Sequence, residues 1–393
     1  MTNTRKTIHS ICPALLTLLC FWAANINAQP AYALETTAHY STVWKHTPKL
    51  TIRTGQPLWG QEFGWRMQTM GRKPWQEWQR YPVFGVALAY FQLGEQAHRQ
   101  AWGLLPNLSV PILRSGRWLA VFRVGTGVGY VADPYNFFTN PGENAIGSHW
   151  NNYTQFRLGI EWRWTEHWRL QAGASLNHFS NGATELPNFG VNLPSGFASV
   201  VWSPRGIRES EFIRTAGSKR GGRRWGGMLT GGLALVEYSV FDGPRYPVWA
   251  LGGGAFFHLN RVNRLMLGVE YEYNRAVYEF GLRSTDFRTE TEAHQGATRV
   301  ACTLADEFLF GNLGVQVLAG VYTGRGINRL VGAPWYSKLT TRYYFPPLFH
   351  TPLRFHAGIA LKAPRTTAEI ISLGAGLVFR HKNGQLEELS EGD

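Results

Sequence analysis

Residues Gln155 to Trp164 read QFRLGIEWRW. Phe156, Leu158, Ile160, Trp162 and Trp164 share one face, while Gln155, Arg157, Gly159, Glu161 and Arg163 share the other, a period of two that marks an extended strand. The pattern recurs upstream, where Trp118, Ala120, Phe122, Val124 and Val128 alternate with Arg117, Arg123, Gly125, Gly127 and Gly129. Downstream, Leu265, Leu267, Val269, Tyr271 and Tyr273 alternate with Gly268, Glu270, Glu272 and Asn274, and Leu313, Val315, Val317, Ala319 and Val321 with Asn312, Gly314, Gln316 and Gly320. Strands of a soluble sandwich usually run about 5 to 6 residues. These run nearer ten, with an apolar, aromatic face suited to lipid and a polar, Gly-rich face suited to a lumen.

Composition agrees. The 393 residues are 44% hydrophobic, 14% aromatic and 17% charged, which excludes a disordered polymer and a coiled coil. After the N-terminus there is no run of 18 or more apolar residues, so helical membrane spans are excluded too. The 16 Trp and 16 Tyr can furnish interfacial girdles. The expected fold is all-β: a transmembrane, antiparallel outer-membrane β-barrel. Some 12 to 15 strand candidates lie between residues 36 and 380, and because single-chain bacterial barrels have even strand numbers, 12 or 14 strands are expected. A periplasmic or secreted lectin-like sandwich is the alternative, less economical for so aromatic an outer face.

Arg5 and Lys6 precede an apolar stretch from Ile11 to Ala24, and Ala28 offers a small residue before Gln29, the pattern of a secretory signal peptide. The expected organisation is a signal over 1–28, one barrel over 29–380 and a polar tail over 381–393. Cys12 and Cys20 leave with the signal, and Cys302 alone can form no intramolecular disulfide. The full chain has 39 Lys and Arg against 26 Asp and Glu, and the mature chain would keep a net charge of +11. Export makes nucleic acid an unsuitable partner and leaves acidic lipid as one that the basic excess would suit. A basic stretch over 204–225, with Lys219, Arg220, Arg223 and Arg224 among glycines, reads as a solvated loop rather than a phosphate clamp.

One segment carries chemistry. From Leu170 to Asn192 the chain reads LQAGASLNHFSNGATELPNFGVN, and Leu170, Ala172, Ala174, Leu176, His178 and Ser180 share the apolar face. That face must meet lipid, so His178 and Ser180 are expected on the outside of the barrel, at the end of a lipid-facing row. Residues i and i+2 of a strand are placed for an imidazole to accept a hydroxyl proton, the base and nucleophile of serine hydrolysis. Only Thr165 and Glu166 separate this strand from its predecessor, and such tight turns lie on the periplasmic side. The strand therefore rises outward, toward the depth of outer-leaflet acyl esters. The same H-x-S spacing at His39-Tyr40-Ser41 has no comparable loop after it and is assigned to chance.

His178-Phe179-Ser180-Asn181-Gly182, followed by Pro187-Asn188-Phe189-Gly190, resembles the active-site segment of the outer-membrane lipid A 3-O-deacylases. The resemblance implies a nucleophile at Ser180, a base at His178, and oxyanion support from Asn181 and Asn188. Backbone N–H groups of the Asn181-Gly182 turn would add to that support. That family places a glutamate twelve residues after the serine, where this chain has Asn192. An Asp to Asn change in a Ser-His-Asp triad costs about 10^4 in rate, yet papain-like enzymes orient their histidine with Asn. Asn192 is the expected orienting residue, and Glu185 a lesser substitute. The small deacylases are also eight-stranded, about half of what this chain could build.

Outer-membrane phospholipase A resembles the segment too, through H-x-S-N-G and an Asn at the position of Asn192. It lacks the Pro-Asn-x-Gly element, and its activity needs calcium, for which no clear acidic cluster is visible. A passive pore or structural barrel is a third reading, since Arg157, Glu161, Arg163, Glu270 and Glu272 are expected to point inward. No zinc-ligand spacing or nucleotide loop is present, so no metal or cofactor is expected. The expected activity is removal of an ester-linked 3-hydroxyacyl chain from lipid A, in a bacterial outer membrane, with lipopolysaccharide as partner.

Overall fold

The computed structural model describes residues 31–52, 55–94, 99–214, 225–238, 241–323, 333–348, 351–364 and 370–380. The expected signal and C-terminal tail, and the basic residues 219 to 224, lie outside them.

Among the described residues the strands are β1 (Ala31–Ser41), β2 (Leu58–Gln68), β3 (Val83–Gln92), β4 (Gln100–Ser115), β5 (Trp118–Val131), β6 (Trp150–Arg163), β7 (Trp168–Ser180) and β8 (Val191–Trp202), then β9 (Trp225–Val236), β10 (Tyr246–His258), β11 (Asn263–Asn274), β12 (Thr298–Phe310), β13 (Leu313–Thr323), β14 (Trp335–Pro347), β15 (Leu353–Ala363) and β16 (Ile370–Arg380). Short helices α1 (Pro74–Trp78), α2 (Arg275–Arg283) and α3 (Glu290–Ala297) cover loops. The antiparallel barrel architecture is as expected. The single wall of 12 or 14 strands is corrected: β1 to β8 close one barrel and β9 to β16 close a second.

The physical reason lies in long-range pairing. β8 turns back on β1, from Leu34↔Trp202 to Ser41↔Ser195, and seals the first sheet after eight strands. β16 does the same with β9, from Leu373↔Leu233 to Arg380↔Gly226. The stretch 204–225, expected as a mid-barrel loop, instead begins after β8 of one barrel and ends at β9 of the other. The two- and four-residue turns after β4, β6, β10 and β12 fall at one end, and the site-bearing loops at the opposite end. Short turns mark the periplasmic end in this class of barrel.

Alternation sets the two faces. On β7, Arg169, Gln171, Ser175 and Asn177 are buried inward, whereas Leu170 is 37% exposed on the wall. Eight strands enclose a lumen narrow enough for side chains to fill, although the second barrel keeps a cavity lined from all eight of its strands, with Glu270, Gln316, Arg342 and His356 on its wall. In the first, Arg157 bonds Glu35 at 2.8 Å, Arg123 bonds Glu62 at 2.8 Å, and Arg169 bonds Glu161 at 3.2 Å. Above that charged layer, toward the site, Phe91, Leu105, Tyr153, Phe179 and Leu193 form an apolar plug. In the second, Arg264 and Arg342 face Glu307, and Lys362 pairs with Glu272.

The barrels touch at both ends. Phe84 and Leu108 of the first pack with Phe310 and Val315 of the second, beside a 2.8 Å hydrogen bond from Gln79 Nε2 to the Leu309 carbonyl. At the other end the contact involves the loop that follows Ser180.

Candidate active site

Register builds the site. β7 and β8 pair with Leu170 opposite Val200, and eight residues further along each strand His178 stands opposite Asn192. Both belong to the outward rows of their strands. Cross-strand neighbours on one face lie within side-chain reach. His178 Nδ1 is 2.7 Å from Asn192 Oδ1.

A residue absent from the sequence reading fixes this contact. His46, in the segment after β1, places Nε2 3.0 Å from the Phe189 carbonyl and Nδ1 3.0 Å from Asn192 Nδ2. Since the Phe189 carbonyl only accepts, the His46 Nε2–H donates to it, and Nδ1, 3.3 Å from the Trp44 carbonyl, accepts from the nearer Asn192 amide nitrogen. The amide oxygen is thereby turned toward His178. The pattern assigns the proton of His178 to Nδ1 and leaves Nε2 free as a base. His46 reaches Asn192 because the β1–β8 pairing runs on past the strand end, with the Trp44 N–H donating to the Asn192 carbonyl at 2.9 Å.

The segment after β1 is the loop that the sequence reading denied to His39-Tyr40-Ser41. His39 itself is a lumen residue, fully buried and 3.6 Å from Glu62, so its H-x-S spacing carries no site.

Ser180 follows His178 in the same outward row, but the expectation of a lipid-exposed hydroxyl is corrected, since Ser180 is 1% exposed. The loop of residues 181–190 folds over it. Asn188 Nδ2 donates to Ser180 Oγ at 3.1 Å, and Asn188 Oδ1 accepts the Asn181 N–H at 3.1 Å. The Gly182 N–H points at Ser180 Oγ from 3.2 Å. The hydroxyl's hydrogen bonds run to Asn188 and Gly182 rather than to His178. Structure and sequence therefore bring Asn181, Gly182 and Asn188 to the hydroxyl and Asn192 to the imidazole.

Two glycines are conformationally required here. Gly182 adopts φ +62°, and a Cβ there would meet Ile371 Cγ1 of β16 at 2.6 Å. Gly190 adopts φ +78°, and a Cβ there would stand 2.9 Å from His178 Cε1. The left-handed region costs a residue with a side chain roughly 1–2 kcal/mol.

The loop is anchored on both flanks. Asn181 Nδ2 donates to Ser148 Oγ and to the Glu185 carbonyl, each at 2.8 Å, and the Gly190 N–H donates to the Ala145 carbonyl at 2.8 Å. Glu185 is not a substitute acid: its carboxylate pairs with Arg245. Opposite, the Leu186 N–H donates to the Glu237 carboxylate and the Glu237 N–H to the Ala183 carbonyl, both at 2.7 Å. Burial pushes the Glu237 pKa up, opposed by the Leu186 N–H and by the positive charge of Arg245.

A serine covered by amide donors thus lies next in the outward row to a histidine held by Asn192, on the wall of a closed antiparallel barrel. Residues 59–201 match the lipid A 3-O-deacylase (PagL) family, and residues 223–383 match the acyloxyacyl hydrolase C-terminal domain (PagL_C). The matches meet every strand except β1. The first barrel carries the match to the lipid A 3-O-deacylase (PagL) family and the second the match to its C-terminal companion, and the chain is a carboxylic ester hydrolase of the bacterial outer membrane.

Among solved structures, the outer membrane enzyme PagL is 16% identical, covering 42% of this chain and 97% of that one at a TM-score of 0.31. Neisserial surface protein A is 8% identical, covering 44% of this chain and 99% of that one at a TM-score of 0.33. The assignment rests on the family matches, not on these superpositions. No curated protein matches the chain by sequence.

Proposed function

We propose that the chain removes an ester-linked 3-hydroxyacyl chain from lipid A through Ser180, His178 and Asn192. The observation that carries this reading is the 2.7 Å contact from His178 Nδ1 to Asn192 Oδ1, with the amide held from behind by His46. In the reaction, His178 turns Nε2 onto the Ser180 hydroxyl and takes its proton as Oγ bonds to the acyl carbonyl carbon. The developing oxyanion is met by the Gly182 N–H and the Asn188 amide; the Asn181 N–H joins them when Asn188 Oδ1 releases it. The ester C–O bond then breaks, His178 returns the proton to the sugar oxygen, and an acyl-Ser180 ester remains. Water, deprotonated by His178, hydrolyses that ester and frees the fatty acid. Asn192 holds the imidazole in the tautomer that these transfers need.

The family match favours lipid A over phospholipid as substrate, and the apolar plug across the lumen of the site-bearing barrel favours an enzyme over a pore. Mass spectrometry of lipid A and phospholipids from membranes with wild-type protein or Ser180→Ala tests all three. Loss of one hydroxyacyl group from lipid A in the wild type alone supports the deacylase. Lysophospholipid with intact lipid A moves the assignment to a phospholipase, and no change in either pool, with folded protein, removes the hydrolase reading.

A further inference from the structure

The second barrel has no part in the chemistry just described, yet it reaches into the active-site loop. Four contacts meet there. The Glu237 carboxylate, on a residue 4% exposed, accepts the Leu186 N–H, and the Glu237 N–H donates to the Ala183 carbonyl, both at 2.7 Å. Arg245 pairs with Glu185, and Ala183 packs on a cluster that includes Ala234, Val236 and Ile370. Beyond these, the β16 backbone passes so close to Gly182 that no side chain fits between them. A carboxylate withdrawn from water and committed to a backbone N–H is a strong, directional restraint.

What the restraint holds is the stretch 183–186. Asn181 and Gly182 precede it, and only Pro187 separates it from Asn188. These three residues supply the groups around the Ser180 hydroxyl. We propose that Glu237 is a positioning residue of the hydrolytic site, and that the second barrel is thereby a working part of an active site carried by the first. The inference rests on the reading of Ser180 as nucleophile. Glu237 touches no reacting atom and acts through Leu186 and Asn188, so its contribution is to the geometry in which the transition state is stabilised rather than to substrate affinity.

The test uses the full chain refolded in lipid A-containing micelles, with acyl release and amide hydrogen exchange measured on wild type, Ser180→Ala, Glu237→Ala and Glu237→Gln. Misplacing a catalytic group by an ångström costs about 10²-fold. Glu237→Ala is expected to lower kcat about 10- to 100-fold with KM within about twofold, and to speed exchange at Leu186 while β1 to β8 exchange as in wild type. Glu237→Gln keeps an oxygen that can accept the Leu186 N–H and should recover most of the rate. Wild-type kcat in Glu237→Ala, a Gln variant no better than Ala, or faster exchange throughout the first barrel would each overturn the proposal. Turnover retained by Ser180→Ala overturns the nucleophile assignment, and this inference with it. Turnover lost by Ser180→Ala but kept by Glu237→Ala overturns this inference alone.

Discussion

His46 and Asn192 lie 3.0 Å apart, ring nitrogen to amide nitrogen, and that contact decides which end of the Asn192 amide faces the His178 imidazole. An unanchored asparagine can present either end, and only its oxygen supports the Nδ1–H tautomer of His178. Replacing His46 with Ala is expected to lower kcat by roughly tenfold with KM unchanged, and Asn192→Ala by about 10²-fold, because the wrong tautomer becomes competitive. The double variant should lose little more than Asn192→Ala alone, since both changes act on one unit. Steady-state kinetics of the three variants checks this, and additive losses would dissociate His46 from Asn192.

Asn192→Asp restores a carboxylate where the related deacylases carry an acid. An aspartate there keeps an acceptor for His178 Nδ1 whichever way its carboxylate turns. Activity within about tenfold of wild type is expected, against the larger loss in Asn192→Ala. Acyl release from purified lipid A separates the two outcomes.

Gly190→Ala should inactivate without unfolding. The left-handed backbone costs about 1–2 kcal/mol, which a closed barrel can tolerate. The added methyl, however, lands 2.9 Å from His178 Cε1 and displaces the ring. A kcat loss of about 10²-fold is expected, with the heat-modifiable gel mobility of a folded barrel retained.

Arg157→Ala should do the reverse, damaging stability before chemistry. Arg157 bonds Glu35 at 2.8 Å and Gln171 at 2.9 Å and is 1% exposed, so its loss takes one of three guanidinium groups from around the buried Glu35 carboxylate and leaves Arg66 and Arg123 to hold it. Removing the sole partner of a buried charge costs about 3–5 kcal/mol, and the two remaining guanidinium groups keep the loss below that. The urea midpoint of unfolding from lipid vesicles is expected to fall accordingly, and an unchanged midpoint would show that water replaces the guanidinium.

Much of this was legible in the chain before any coordinates. The period of two from Gln155 to Trp164 gave the strand, its outward face and its inward Arg157 and Glu161. The row from Leu170 to Ser180 gave the outward row that His178 and Ser180 share. Closure was not legible, because an alternating strand looks the same in a wall of fourteen as in two walls of eight. The choice depends on β8 finding β1, a contact between segments far apart in sequence. His46 was hidden for the same reason: only once Ser41 is set opposite Ser195 does the segment after β1 fall beside Asn192. Cover over Ser180 was also illegible, since Glu237 and Ile371 come from a barrel whose separate existence the pattern does not announce.

The seam between β1 and β8 has one more consequence. It is where the first barrel zips shut, and the base's support straddles it, with His46 on one bank and Asn192 on the other. An unzipped chain carries Ser180 and His178 on β7 but has not yet brought His46 to the amide behind them. On the proposed mechanism, hydrolytic competence therefore arrives with the last row of interstrand hydrogen bonds, so a chain whose first barrel is still open would be inert toward the lipids it meets.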